Sequence, residues 1–258
     1  AGNNVLNFSK NNLITGVNKI INGESSKDLL AWTDNLNPPR ILNIERAIAT
    51  TNPDPVTVLD DWFIEDDISV IKTPPRKAPV ITPSIVADGG DYLEDKFLSF
   101  GYRYKYLDGD FSAISSFTNY AFDPDVFNLD YGSFENLGMV NKYNQLAIGF
   151  DTGSERVTDI EIVFKESNSS TVFLIDTLNK EDEVWADNDD TQEYIFTNDK
   201  KYTALAADEL NRPYDNVPLL AASQELIGNR LAYADYVENY DLLDESGGKV
   251  VMDYDVSL

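Results

Sequence analysis

Asp187-Asn-Asp-Asp-Thr-Gln-Glu193 comes closest to a chemical site in residue type and spacing. Oxygen ligands at alternate positions suit a hard cation such as calcium. However, a calcium loop also needs Gly at its sixth position and Glu at its twelfth, where this chain has Gln192 and Asn198. The expected reading is therefore a solvated acidic turn. Asp60-Asp61 and Asp66-Asp67 could supply the two carboxylates of a glycosidase. With 45 acidic residues in the chain, some pair will always look suitable. Trp32 and Trp62 could stack on a sugar or a partner, although large aromatic rings more often fill cores and interfaces. Arg103 and Lys105 form a short basic stripe, expected to be an exposed strand face holding acidic neighbours. Gly89-Gly90 and Gly247-Gly248 lack the Lys or helix signature of a phosphate loop.

Composition narrows the chemistry further. There is no His and no Cys. Ser-His-Asp and Cys-His catalysis, thiolate chemistry, disulfides and nearly all zinc sites are thereby excluded. The expectation is a protein that is not an enzyme, with no catalytic, cofactor-binding or metal-ligating residues and no cofactor. The net charge of −25 is spread along the chain. Such a field disfavours nucleic acid and anionic membranes. No apolar run approaches the ~20 residues of a membrane span, and none reads as a signal peptide. Hydrophobic residues at 42% are too many for a disordered acidic chain, so a folded core is expected. The first residue is Ala1 and not Met, which predicts processing or a piece of something longer.

The elements that must position these residues are mostly strands. Leu98, Phe100, Tyr102, Tyr104 and Tyr106 alternate with Ser99, Arg103 and Lys105, the period of a half-buried strand. Asp108-Gly109 follows as a two-residue hairpin signal. That turn predicts Tyr106 opposite Phe111, Tyr104 opposite Ala113, Tyr102 opposite Ser115 and Phe100 opposite Phe117, an aromatic ladder on one face. Further strands are expected at 13–21, 29–33, 40–45, 80–86, 145–151, 157–165, 171–178 and 193–198. Asp34-Asn-Leu-Asn-Pro-Pro39 reads as an ordered loop. One or two helical turns are expected within 60–68, and 121–141 reads as a long loop. For 222–236, helix propensity at Gln224-Glu225-Leu226 competes with a Gly228-Asn229 hairpin signal, and the hairpin is the preferred reading.

Six of the eleven prolines fall in 51–83, with Thr73–Pro79 the sharpest boundary. The predicted organisation is an N-terminal β-rich segment and connector over 1–76, a fibronectin-III-like sandwich over 77–180, and a C-terminal β-rich segment over 181–258. The fold class is mainly β, an immunoglobulin- or fibronectin-III-like sandwich with β-rich flanks, for which a propeller-like arrangement is the alternative.

Three stretches, in order, resemble the large muzzle or nozzle proteins of short-tailed phages, including crAss-like phages of Bacteroidota. They are Leu30-Ala-Trp-Thr-Asp-Asn-Leu-Asn-Pro-Pro-Arg-Ile-Leu-Asn-Ile-Glu45, the hairpin Phe100–Ser115, and Arg212-Pro-Tyr-Asp-Asn-Val-Pro218 with Gln224–Leu231. The resemblance covers most of 29–240. It implies a structural virion protein of the tail, forming a six-fold ring of its own copies around the DNA exit channel. Other tail proteins would be its neighbours, and DNA would pass without specific binding. Proteins of this kind are longer, so the resemblance also implies that this chain is a portion of one. The alternative is a non-catalytic adhesin whose sandwich presents Trp32, Trp62 or the 121–141 loop to a glycan or receptor.

Overall fold

Nearly every stretch expected to be a strand becomes one. The computed structural model describes residues 5–21, 23, 27–50, 64–183, 185, 190–207, 209–210, 217–228, 230–238, 240, 248 and 250. In chain order the elements are β1 (Gly16–Ile20), β2 (Leu29–Thr33), β3 (Arg40–Asn43), α1 (Ile44–Thr50), α2 (Glu65–Ile68), β4 (Val80–Ser84), β5 (Leu98–Tyr106), β6 (Gln145–Asp151), β7 (Val157–Glu166), β8 (Val172–Asn179), β9 (Thr191–Phe196), β10 (Thr203–Ala204), β11 (Leu220–Ile227) and β12 (Arg230–Val237). The chain divides into two units, Pro74–Asn211 and the two end segments Ala1–Thr73 and Arg212–Leu258 together. The first division falls within the proline-rich boundary. The expected second boundary at 180 does not hold, because β9 pairs with β6 and β10 with β8 inside the sandwich.

The Pro74–Asn211 unit is a β-sandwich with strands in the orders β4-β6-β9 and β10-β8-β7-β5, every neighbour antiparallel. Sheets of three and four strands are the partition of an immunoglobulin-like domain. Phe100, Tyr102 and Tyr104 of β5 meet Leu146, Ile148 and Phe150 of the other sheet in one core. The Phe100 and Phe196 rings contact edge-on across it at 5.3 Å. The end-segment unit holds a three-stranded sheet, β1-β2-β3, and the hairpin β11–β12. Among the described residues these flanks show no four-stranded propeller blade. The Gly228 turn joins β11 to β12, so 222–236 is the hairpin and not a helix. α1 replaces the expected end of the third strand from Ile44 onward. α2 is the described part of the helical turn expected within 60–68.

The β5 hairpin departs from the expected register. The loop has three residues, not two: Tyr106 N donates to Asp110 O at 2.9 Å and Gly109 N to Tyr106 O at 2.8 Å. Only Gly109 takes a positive φ, +83°, the conformation that closes such a loop with a bulge. Lys105, not Tyr106, therefore faces Phe111. A one-residue shift sends side chains to the opposite face. Phe111 accordingly stacks on Arg103, its ring centre 4.3 Å from the guanidinium carbon. Phe117 lies half-buried under Lys165 on that same face, away from the aromatic core.

Beyond the turn, the returning chain advances three residues for every two of β5. Ser112, Ser115, Thr118 and Ala121 donate their N–H groups to the carbonyls of Tyr104, Tyr102, Phe100 and Leu98 at 2.8–2.9 Å. A regular partner would return a carbonyl to each β5 N–H. Here the side-chain hydroxyls accept instead: Ser112 Oγ from Tyr104 N at 3.0 Å, Ser115 Oγ from Tyr102 N at 3.1 Å, and Thr118 Oγ1 from Phe100 N at 3.0 Å. The edge of β5 that faces away from β7 is thus satisfied, carbonyls and N–H groups alike, by a segment that is not a strand.

Phe100 is fully enclosed, so Phe100→Ala should cost about 3–5 kcal/mol, whereas half-buried Phe117→Ala should cost about 1 kcal/mol or less. Ser115→Ala leaves the buried Tyr102 N–H without its acceptor and should cost about 1–3 kcal/mol. Denaturant unfolding of the three variants gives the order; equal losses at Phe100 and Phe117 would contradict the register.

Candidate functional site: an apolar finger and the groove at its base

The expected chemical residues are mostly engaged in structure. Trp32 is buried and packs near Phe8 at 6.3 Å between ring centres, so it offers no stacking face to a sugar. Asp34 holds its loop in order by accepting from Asn37 N at 2.8 Å, Asn37 Nδ2 at 2.6 Å and Leu36 N at 3.0 Å. Asp66 accepts the Thr73 N–H and hydroxyl at 3.1 and 2.7 Å, and Asp67 accepts from Ile64 N at 3.1 Å. The two carboxylates are therefore committed to backbone order, not to an acid–base pair. Asp60, Asp61, Trp62, Asp187–Asp189, residues 212–216 and Gly247 lie outside the described residues. Asp190, in the described part of the acidic turn, accepts from Thr191 N at 2.9 Å and Gln192 Nε2 at 3.1 Å. Among the described residues no group of three acidic, His or Cys side chains could hold a metal ion, and no helix is long and apolar enough to cross a membrane.

The Arg103 face is a buried ionic network, not the exposed basic stripe expected. Arg103 is 4% exposed. It donates from Nε and Nη2 to Glu161 Oε2 at 2.7 and 2.6 Å, and from Nη2 to Glu209 Oε2 at 3.1 Å. Its acidic neighbours are as expected. Beside it Lys105 pairs with Asp159 at 3.2 Å. Asp159 also accepts from the Thr158 hydroxyl at 2.7 Å and Asn179 Nδ2 at 3.0 Å. Burial alone would raise the Asp159 carboxyl. The Thr158 and Asn179 hydrogen bonds and the Lys105 charge outweigh it and hold the group below the usual carboxylate range.

The 121–141 segment carries the surface that stands out. Its two arms pair loosely, through the bridges Pro124↔Asn141 and Leu129↔Asn136, into a finger. The base is pinned to the sandwich by Asn141, whose Nδ2 donates to Leu93 O at 2.9 Å and Lys96 O at 2.8 Å. Asn136 Oδ1 braces the middle by accepting from Asn128 N at 2.9 Å and Gly138 N at 3.1 Å. Gly138 runs so close to the opposite arm that a Cβ would lie 2.1 Å from Val126 O, so no other residue fits. Asp130 shapes the tip by accepting from Gly132 N at 3.0 Å and Ser133 N at 3.2 Å, bonds that also hold its carboxyl below the usual range. On this ordered scaffold Val126, Phe127, Tyr131, Phe134, Leu137 and Met139 are more than half exposed, with Tyr131 at 82% and Phe134 at 79%.

At the finger's base lies a pocket of about 280 Å³ in the seam between the edge strand β4 and the returning segment. Ile81, Pro83, Tyr120, Phe122, Tyr143 and Leu146 give it an apolar lining. The Tyr143 hydroxyl donates to Ala121 O at 2.8 Å. Burial first, and then the Asp123 charge, push its pKa up to about 12, so this wall stays neutral at any ordinary pH.

Sequence reasoning located the segment but not its order or its exposed rings, because a loop's apolar residues read the same whether they face a core or solvent. The three-residue spacing Ser112-Ser115-Thr118 was the visible sign that the return was no ordinary strand. No family model matches the chain, and no curated protein matches it.

Asp159 yields a pH prediction. Its folded carboxyl is depressed, so its stabilisation is complete above the unfolded value of about 3.9 and is lost as pH falls through the lower folded value. The stability gap between the wild-type chain and Asp159→Asn should therefore be constant from neutrality to about pH 5 and close below about 3.9. A gap that stays constant to pH 2 in denaturant titrations would contradict the assignment.

Proposed function

We propose that this chain is a non-catalytic structural subunit of a phage tail muzzle or nozzle, built into a ring around the DNA exit channel. The observation that carries the reading is the finger: an ordered arm with six large apolar side chains in solvent. Monomeric proteins rarely leave contiguous apolar patches of more than a few hundred Å² uncovered, and larger ones mark association sites. The sandwich supports the reading as a rigid base, and the resemblance over 29–240 names the kind of assembly. A conduit for DNA needs a wall that does not grip phosphates. Bases there would hold the duplex through counterion release, so a chain of net charge −25 suits the task. At ~0.15 M salt the repulsion reaches only about 8 Å from a wall, enough to centre a duplex without opposing its passage. Arg103, whose place at such a wall would have spoken against this, is enclosed by Glu161 and Glu209.

The exposed Tyr131 and Phe134 rings also suit an adhesin that stacks on a glycan, and that reading predicts a different location and partner. A peptide map of purified virions separates the two: peptides of this chain are expected in the tail fraction, and their absence would remove the tail reading. The free protein is also expected not to retard duplex DNA at ~150 mM salt in a gel-shift assay. Retardation at that salt would contradict a passive channel wall.

A further inference from the structure

We infer that the finger of one copy seats its tip, Tyr131 and Phe134, in the β4-edge pocket of the next copy. This rests on the ring-subunit reading and names the contact that would build the ring. The same chain carries both halves of a knob-and-socket contact. Tyr131 and Phe134 are 82% and 79% exposed, so neither ring fills the pocket at the base of its own finger. A knob and a socket left open in this way do not satisfy each other within one copy. Between copies they make a head-to-tail contact, which closes into a ring when the rotation between neighbours allows.

Size and charge point to the same partner. The six exposed finger side chains present roughly 900 Å², of which the seated Tyr131 and Phe134 supply roughly two-fifths. The arm must therefore lie along the partner beside the pocket for the contact to reach the ~800 Å² that each partner contributes to a standard interface. Two copies of net charge −25 repel each other, so a contact between them must avoid opposing carboxylates. From Val126 to Met139 the only charged residues are Asp130 and Glu135, with Asp130 turned into the tip's own hydrogen bonds. Among the described residues the one charge lining the pocket, Asp123, is paired with Lys142 at 2.9 Å. The contact is therefore largely apolar, Tyr131 and Phe134 meeting Ile81, Pro83 and Phe122, while the net charge discourages arrangements that bring more carboxylates together. Among the described strands β4 is the edge of its sheet, beside the pocket, along which an extended arm can lie.

The chain has no cysteine, so introduced thiols are unique. Phe134→Cys places one on the tip and Asn119→Cys one at the pocket rim; both sites are exposed, so folding should survive. Mixing the two single variants under mild oxidation should give a disulfide-linked dimer that neither gives alone, and the double variant should give a ladder. Phe134→Asp should raise the concentration needed for association at least ~10-fold, and Gly138→Val, which breaks the finger, should do the same. Association of the wild-type chain without the mixed disulfide would overturn the seating while leaving a ring possible. Crosslinking with no virion peptides would remove the tail reading while leaving the seating intact. A chain that remains monomeric and uncrosslinked at every concentration, binding only a glycan or another protein through the finger, would overturn the seating outright.

Discussion

The structure depends on how β5 satisfies its two edges. One edge pairs with β7 along its whole length. The other is closed by a chain that returns at three residues to two, its Ser and Thr hydroxyls accepting where a strand would offer carbonyls. Without those hydroxyls, N–H groups of Phe100, Tyr102 and Tyr104 would be buried unpaired beside the core, each at a cost of about 1–3 kcal/mol. The closure keeps β5 inside the sandwich. It lets one face carry the aromatic core and the other the Arg103 network, and it delivers the chain to the finger at Ala121.

The proposed contact follows from that delivery. The returning segment forms one wall of the pocket before its continuation becomes the finger, so knob and socket are anchored to a single rigid support. Asn141 and Tyr143 tie the far end of the same excursion back to Leu93, Lys96 and Ala121. An arm held at both ends loses little conformational freedom on docking, which is where much of the cost of association lies. The charge of the chain acts in the same direction, by suppressing contacts that are not apolar.

Much of the fold was legible from the sequence. Runs of strand-forming residues bounded by turn signals located β1 through β9 closely, and the first division of the chain falls within Thr73–Pro79. Gly228-Asn229 outweighed the helix propensity of Gln224–Leu226. The failures have definite physical causes. Asp108-Gly109 signals a tight turn but not its length, and the loop of three instead of two residues moved Phe111 and Phe117 to the opposite face. Arg103 looked exposed because its enclosing partners, Glu161 and Glu209, are 58 and 106 residues away. The segment after residue 180 looked separate because β9 and β10 pair with strands distant in sequence. At the candidate site, Trp32 stood out as a ring that could stack on a ligand, but it and the neighbouring Asp34 loop serve packing and loop order. The exposed rings of the finger carry no pattern that distinguishes them from core.

The central claim is that this chain associates with itself through the finger. Sedimentation of the wild-type chain over a wide concentration range, beside a chain whose finger from Val126 to Met139 is replaced by a short Gly-Ser turn, tests it most directly. The account predicts a discrete oligomer for the first and a folded monomer for the second. A monomer in both, or the same oligomer in both, would contradict it.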